Sequence, residues 1–452
     1  MQDTTIAALA TPPGRSGLAV IRISGPCAER ILREIFIPAN PEAAFSDRVM
    51  MYGSAVFHGR LLDECMALIM RAPRSYTRED VAEIQVHGGE QVVSSILKSL
   101  FALGAVPAQP GEFTRRAFLN GKIDLSQAEA VMQLIASTGS MASDAALRQL
   151  QGGALRFIQD AQAELLKLMA GITAAIDYPE EIDEAEAVAG ILPGITCLVA
   201  CLQEACDERA ARVLEEGLHV VICGKPNVGK SSLLNALLME ERAIVTDIPG
   251  TTRDLVTGAV ELDGIRVLLK DTAGIREDGE TVEMIGVQRA LDAIKSADLR
   301  VMVLDASGKP DGRDEMILDT ISGYASLSVL NKCDLPLDPD IGKWLEGKGV
   351  KAEDTILLSA RTGEGLDTLR REIRAHAGNP GENALTLARH TRLARETAQS
   401  LRNAAQAMKD GLPLDLCMVD LNQALLSLGA ITGENVSEAL LDEVFSAFCV
   451  GK

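Results

Sequence analysis

Gly224-Lys225-Pro226-Asn227-Val228-Gly229-Lys230-Ser231 reads G-x-x-x-x-G-K-S. Upstream, Leu218–Cys223 is a short apolar run of the kind that forms a buried strand. Downstream, Ser231–Met239 opens a helical pattern. Strand, glycine-rich loop and helix in that order build a cradle for phosphate. The glycines let backbone N–H groups close around phosphate oxygens, and the helix N-terminus adds partial positive charge. In such a loop Lys230 reaches the outer phosphates and the Ser231 hydroxyl ligates Mg²⁺. The stretch therefore predicts an α/β domain of the P-loop class, with Asn227, Val228, Gly229, Lys230, Ser231 and Ser232 lining its phosphate side.

Working outward, three further stretches complete the pattern. Asp271-Thr272-Ala273-Gly274 follows an apolar run interrupted only by Lys270. Asp271 is placed to hold Mg²⁺ through water, and the Gly274 N–H to touch the terminal phosphate. Asn331-Lys332-Cys333-Asp334 follows Leu327–Leu330. A carboxylate at Asp334 accepts from guanine N1–H and its 2-amino group; adenine has neither donor, so the nucleotide expected is GTP. The Lys332 stem packs along the base. Ser359-Ala360-Arg361 follows the strand-like Thr355–Leu358 and offers backbone N–H to guanine O6. Between the phosphate loop and Asp271 lies Thr246-Asp247-Ile248-Pro249-Gly250-Thr251-Thr252-Arg253-Asp254, glycine-punctuated and rich in oxygen donors, which reads as a switch loop. Thr252 is a second Mg²⁺ candidate there. The residue after Gly274 is Ile275, and an aliphatic side chain cannot orient water. The Asn227 side chain and the switch-loop carbonyls could instead seat a monovalent cation such as K⁺ beside the phosphates. Glu277, Glu280 and Glu283 are all candidates to orient the attacking water; the residues alone do not choose among them.

The rest of the chain frames this domain. It has 452 residues, 47% hydrophobic and 24% charged, with a net charge of −20. That charge argues against general electrostatic binding of nucleic acid, though not against a local patch. Nine cysteines are scattered without any C-x-x-C spacing, and with only five histidines this points to reduced thiols, a cytoplasmic location and no structural zinc. Cys197 and Cys201 share a helix face and read as core. The most apolar helical stretch is expected near Leu165–Ile176, too short for a membrane span. Residues 1–118 read as α+β. Gly17–Gly25 and Val81–His87 alternate as strands, placing Arg22 and Glu83 on polar faces where they could simply meet water. Residues 119–214 are helical, punctuated by Pro179, Pro193 and Gly194; 215–378 alternate strand and helix; 379–452 are helical again. The simplest account is a multidomain chain with an α+β N-terminal domain. Its all-α helical domain is interrupted by an inserted α/β, Ras-like G domain.

With these motifs in hand the chain resembles the MnmE (TrmE) family of bacterial tRNA modification GTPases. The resemblance also rests on Ala10-Thr11-Pro12-Pro13-Gly14-Arg15, on Pro110–Lys122 (PGEFTRRAFLNGK) and on the ending Phe448-Cys449-Val450-Gly451-Lys452. It covers nearly the whole chain, and the C-terminal Cys-x-Gly-Lys is its most specific piece. The resemblance implies a homodimer joined through the N-terminal domain and a flavin-containing partner, MnmG. Together they would place a carboxymethylaminomethyl-type group at C5 of the tRNA wobble uridine. It implies a tetrahydrofolate one-carbon carrier, 5-formyl or 5,10-methylene, held by Arg22, Glu83, Lys122 and Lys452. It implies K⁺ ligation by Asn227, Thr246, Ile248 and Thr251, Mg²⁺ ligation by Ser231 and Thr252, and water orientation by Glu283. Cys449 is either a reactive thiol or a packed small residue. Arg389, Arg392, Arg395 and Arg402 fall at helical spacings and form either a tRNA patch or an ordinary solvated face. The runner-up is a regulatory or ribosome-assembly GTPase, which has no use for Arg22, Glu83, Lys122 or the special C-terminus. A third is a folate-binding scaffold with incidental hydrolysis.

Overall fold

The computed structural model describes residues 4–40, 45–239, 258–271, 291–351, 354–380 and 384–452. The chain forms two compact units: Met1–Met132 with Gln149–Leu166 and Asn422–Lys452, and Gln133–Arg148 with Lys167–Leu421.

In the first unit, β1 (Ile6–Leu9), β2 (Ser16–Ser24), β3 (Phe36–Pro38), β4 (Met51–Phe57), β5 (Arg60–Met70), β6 (Val81–Gly88) and β7 (Val106–Pro107) form a sheet in the order β3-β4-β5-β6-β2-β1-β7. Neighbours are antiparallel except β1 and β7. Period-two alternation assigns the faces. Ala19, Ile21 and Ile23 of β2 join Ala82, Ile84 and Val86 of β6 in a core closed by the helices Ala28–Ile35 and Glu90–Ala102. The opposite face carries Arg22, Glu83 and the exposed apolar side chains Leu18, Tyr52 and Met66. The helices Glu112–Leu119 and Glu438–Ser446 meet through Phe118 and Phe445, and Phe448, just past the second helix, packs on Phe445.

In the second unit, β8 (Leu218–Cys223), β9 (Gly258–Leu262), β10 (Ile265–Asp271), β11 (Leu299–Asp305), β12 (Ser326–Asn331) and β13 (Thr355–Leu357) order as β13-β12-β11-β8-β10-β9. All pairs are parallel except β9–β10. Strands buried on both faces read as continuous apolar runs, which is why Leu218–Cys223 and Leu299–Leu304 carry almost no polar residue. Strand order reverses on either side of β8, so the carboxyl ends of β8, β10, β11 and β12 face one crevice. The helix Glu184–Ala205 packs on Ala388–Lys409, although the whole α/β segment separates them in sequence. The helical domain is thus interrupted, as its pattern predicts.

Several expectations are corrected. Pro193 lies inside the helix Glu184–Ala205 rather than ending it; the residue is exposed, so water can satisfy the carbonyl its missing N–H leaves free. That helix begins at Glu184, with Asp183 as its cap accepting from Glu186 N–H at 2.9 Å. Cys197 and Cys201 are exposed, not core. The buried face of that helix is Ile191, Ile195, Leu198, Val199 and Leu202. Over 18 residues this helix and Leu414–Thr432 are apolar enough to span a membrane, whereas Gly153–Asp177, which contains Leu165–Ile176, is not. By length and composition alone both helices could cross a membrane. Single-window hydropathy cannot distinguish them from helices that bury one face and expose small residues on the other.

Candidate functional site

The phosphate loop leaves β8 and enters the helix Lys230–Met239. Gly229 has φ +97°, and a Cβ there would stand 2.2 Å from Asn331 Nδ2, so no other residue fits. Lys230 is 6% exposed and donates its Nζ to the Lys225 carbonyl at 2.9 Å. Ser231 Oγ donates to Asp271 Oδ2 at 3.0 Å, bringing the two expected Mg²⁺-side groups together from β10 and the loop. Hydroxyl and carboxylate oxygens are the hard donors Mg²⁺ prefers, so the pair fits that ion. Lys225 is gripped by Asp311 at 3.1 Å and Asp314 at 2.6 Å. Burial depresses the Lys225 ammonium, but these carboxylates outweigh it and hold its pKa above the usual lysine value. Burial pushes the Cys223 thiol beneath the loop up to about 12, which leaves it inert.

The base-side stretch lies against the same loop. Asn331 is 2% exposed. Its Nδ2 donates to Val228 O at 2.7 Å, while its Oδ1 accepts from Ala360 N–H at 3.0 Å. Lys332 Nζ donates to Asn227 O at 2.9 Å and to Asp305 Oδ2 at 2.5 Å. Asp334 Oδ1 accepts from Ser359 Oγ at 2.7 Å, so the carboxylate is aimed by the neighbouring loop. Asn227, Val228, Gly229, Lys230, Ser231, Asp271, Asn331, Lys332, Asp334, Ser359 and Ala360 therefore meet around the carboxyl ends of β8, β10 and β12. Ser232 and Arg361 flank them in sequence. Thr246, Asp247, Ile248, Pro249, Gly250, Thr251, Thr252, Thr272, Ala273, Gly274 and Glu283 lie outside the described residues, as do Ile275, Glu277 and Glu280. Asp305 was missed in the sequence. Its signal is the one used for Asp271: a carboxylate ending an apolar strand.

A second cluster sits on the open face of the first unit's sheet. Arg22 and Glu83 are direct cross-strand partners. Arg22 donates its Nε to Glu83 Oε1 at 2.8 Å, and the side chains are 18% and 16% exposed. The bland expectation of two solvated residues is thereby corrected. The Arg22 guanidinium also lies 5.4 Å from the Tyr76 ring centroid and 5.7 Å from that of Phe113. Lys122 Nζ donates to Ser75 O at 2.8 Å and sits 5.0 Å from the same Tyr76 ring. Burial, then the Arg78 charge, lowers the Lys122 pKa. Tyr76 and Phe113 were not foreseen; isolated aromatics carry no spacing that marks them as partners of a cation.

The chain's last residues dock here. Pro110 bridges Val450. Gly111 N–H donates to Cys449 O at 3.4 Å and Phe113 N–H to Lys452 O at 3.1 Å. Arg22 Nη1 reaches Gly451 O at 3.5 Å. Gly451 has φ +95° and would place a Cβ 2.2 Å from Leu9 O. Cys449 is exposed. Arg22, Glu83, Lys122 and the terminal segment bearing Lys452 thus share one locality. A separate cavity of about 540 Å³ lies between Glu112–Leu119 and Glu438–Ser446 and is lined by none of them. Among the described residues no group of three His, Cys, Asp or Glu side chains could hold a metal ion.

On the second unit's helix Ala388–Lys409, Arg392 pairs with Glu396 at 2.9 Å, Arg395 pairs with Glu208, and Arg402 donates to Gln399 at 3.1 Å. Arg389 contacts His390 at 3.2 Å.

Residues 125–449 match the MnmE helical domain, and residues 5–122 match the GTP-binding protein TrmE N-terminus. A tRNA modification GTPase MnmE of Chloroflexus aurantiacus is 45% identical over 457 residues, covering 100% of both chains. One of Listeria innocua is 41% identical over 459 residues, again 100% of both. Among solved structures, Aquifex aeolicus Era with GDP and aluminium fluoride is 27% identical. It covers 40% of this chain and 66% of that one, with a TM-score of 0.29.

Proposed function

The chain belongs to the MnmE family of tRNA modification GTPases. From that premise we propose that it is a K⁺-stimulated, homodimeric GTPase of the cytoplasm. With the flavin-containing protein MnmG it installs a carboxymethylaminomethyl-type group at C5 of the tRNA wobble uridine, drawing on a tetrahydrofolate one-carbon unit. The observation that carries this beyond a general GTPase is the docking of Cys449–Lys452 beside the Arg22–Glu83 pair and Lys122.

The chemistry of that cluster suits a reduced folate. A pterin presents adjacent N–H donors, which a carboxylate such as Glu83 accepts in pairs; its glutamate tail needs a cation. Arg22 is already neutralised by Glu83. Lys122 meets a carbonyl and a ring face and gains most from an arriving carboxylate. Lys452 supplies a further cation from the docked tail. The open sheet face exposing Leu18, Tyr52 and Met66 supports pairing of two copies through this domain. Local carboxylates offset Arg392 and Arg395, which fits a complex where MnmG supplies much of the tRNA contact.

At the nucleotide, Lys230 exchanges its bond to Lys225 O for the outer phosphate oxygens. Asp334 and Asn331 fix the guanine, with Ser359, Ala360 and Arg361 closing its O6 side and Lys332 lying along its plane. The Gly274 N–H, beside Thr272 and Ala273, meets the terminal phosphate. Glu283 accepts from the attacking water and aligns it with the bond to be broken. Bound Mg²⁺ (Ser231 and Thr252) and K⁺ (Asn227, Thr246, Ile248 and Thr251) supply the positive charge that other GTPases draw partly from an arginine. The chain, MnmG, GTP, a reduced folate, an amine donor and undermodified tRNA should together yield the modified nucleoside. Its formation without GTP or folate would refute the proposal. Equal GTPase rates in K⁺ and Na⁺ would remove the cation assignment.

A further inference from the structure

Asp305 lies outside every motif that recognises the nucleotide, yet it holds one of them in place. It ends β11, next to β12, whose end carries Asn331, and Ala306 N–H donates to Asn331 O at 2.8 Å. Its two oxygens have separate tasks. Oδ1 accepts from Ser307 N–H at 3.0 Å and from Ser307 Oγ at 2.7 Å. That turns Oδ2 toward Lys332 Nζ at 2.5 Å, with side chains 20% and 32% exposed. Lys332 in turn donates to the Asn227 carbonyl at 2.9 Å. Asn227 and Lys332 have φ of +66° and +67°. Non-glycine residues enter that left-handed region at a cost, so something must hold them there. The Lys332–Asn227 bond ties the two strained residues to each other, and Asp305 fixes the long, flexible lysine that makes it.

We propose that Asp305, aimed by Ser307, is a positioning residue of the nucleotide site: it locks Lys332 onto the Asn227 carbonyl and so presets the base-side loop against the phosphate loop. The inference rests on the reading that these loops hold a guanine nucleotide. Lys332 would then meet the purine plane in a fixed pose, and Asp305 itself would touch neither base nor phosphate.

The test is a set of full-length variants titrated with a fluorescent GDP. Asp305→Asn keeps the shape and removes the charge; it should weaken binding about tenfold, the lower range for a charge-assisted hydrogen bond. Ser307→Ala keeps the carboxylate but frees its rotation, and should weaken binding about threefold. Lys332→Met keeps the stem and loses the ammonium. Because Asp305 acts through Lys332, adding Asp305→Asn to Lys332→Met should cost nothing more. A purely structural role would instead multiply the two losses. Preference for guanine over xanthine nucleotides should persist in Asp305→Asn, since Asp334 sets it. Unchanged affinity in Asp305→Asn, multiplicative losses in the double variant, or lost base preference would each overturn the proposal. If Asp305→Asn does not fold, Ser307→Ala alone decides: affinity equal to the parent overturns it. Failure of the parent chain to bind guanine nucleotide would instead refute the underlying reading.

Discussion

Replacing Gly451 with alanine should release the chain's C-terminus and weaken reduced-folate binding while leaving GTP hydrolysis intact. The added Cβ would lie 2.2 Å from Leu9 O and 2.9 Å from Ala10 Cα, both backbone atoms that cannot swing aside. The residue also has φ +95°, where an L side chain is strained by about 1–3 kcal/mol. Against this, three hydrogen bonds anchor the segment, at 3.1, 3.4 and 3.5 Å. Two are long, and at about 0.5–1.5 kcal/mol for a good bond they sum to roughly 2–3 kcal/mol. Strain plus backbone overlap exceeds that sum, so the undocked state should dominate. Lys452 then leaves the Arg22–Glu83 locality, and losing one charge-assisted contact of about 1.5–3 kcal/mol predicts roughly 10- to 100-fold weaker folate binding. Calorimetric titration of the full-length chain with a reduced folate reads the affinity. Carboxypeptidase release of the terminal residues reads the undocking directly. Wild-type affinity together with wild-type resistance to carboxypeptidase would refute the argument.

Further outcomes follow from the same geometry. Ser231→Ala removes the hydroxyl that meets Asp271 and should cut GTP hydrolysis at least tenfold at saturating Mg²⁺, measured by phosphate release. Glu83→Gln leaves a partly buried Arg22 without its carboxylate; stability should fall by about 1–3 kcal/mol in a denaturant titration, and folate affinity should fall with it. Lys122 has a pKa below the usual lysine value, so the protonated form is disfavoured in the folded chain. That cost is full below the folded pKa and vanishes above the unfolded value, so this residue's term favours folding more as pH rises between them. A bound carboxylate wants the ammonium, so folate affinity should decline as pH climbs toward and past that lowered pKa, and Lys122→Arg should abolish the decline. Flat affinity in the parent chain across that range would remove Lys122 from the anion site.

The convergence of the phosphate-loop and base-side stretches was legible because each motif is local: a buried strand, then a short loop whose residue types are dictated by phosphate, metal or base. The parallel sheet and the interrupted helical domain followed from the same alternation. Asp305 carries the same strand-end signal as Asp271, but its role was not legible, since its partners stand on other elements and nothing in its own stretch names them. Arg22 and Glu83 were placed correctly on polar faces, but only the register Arg22↔Glu83 turns two solvated residues into a pair. The family resemblance, not the alternation, marked them as a site. Tyr76 and Phe113 became visible only when folding stacked them against Arg22. Cys197 and Cys201 were misread because an apolar helix with one small-residue face looks like core in sequence. Pro193 was misread because an exposed proline in the middle of a long helix can be tolerated where solvent replaces the lost bond.

The central claim, that nucleotide turnover in this chain drives wobble-uridine modification, is tested most directly by mass spectrometry of tRNA nucleosides from a strain lacking the gene. The C5-modified uridines should disappear and return with the wild-type chain, but not with the Ser231→Ala variant. Unchanged wobble uridines in the deletion strain, or full rescue by Ser231→Ala, would contradict the account.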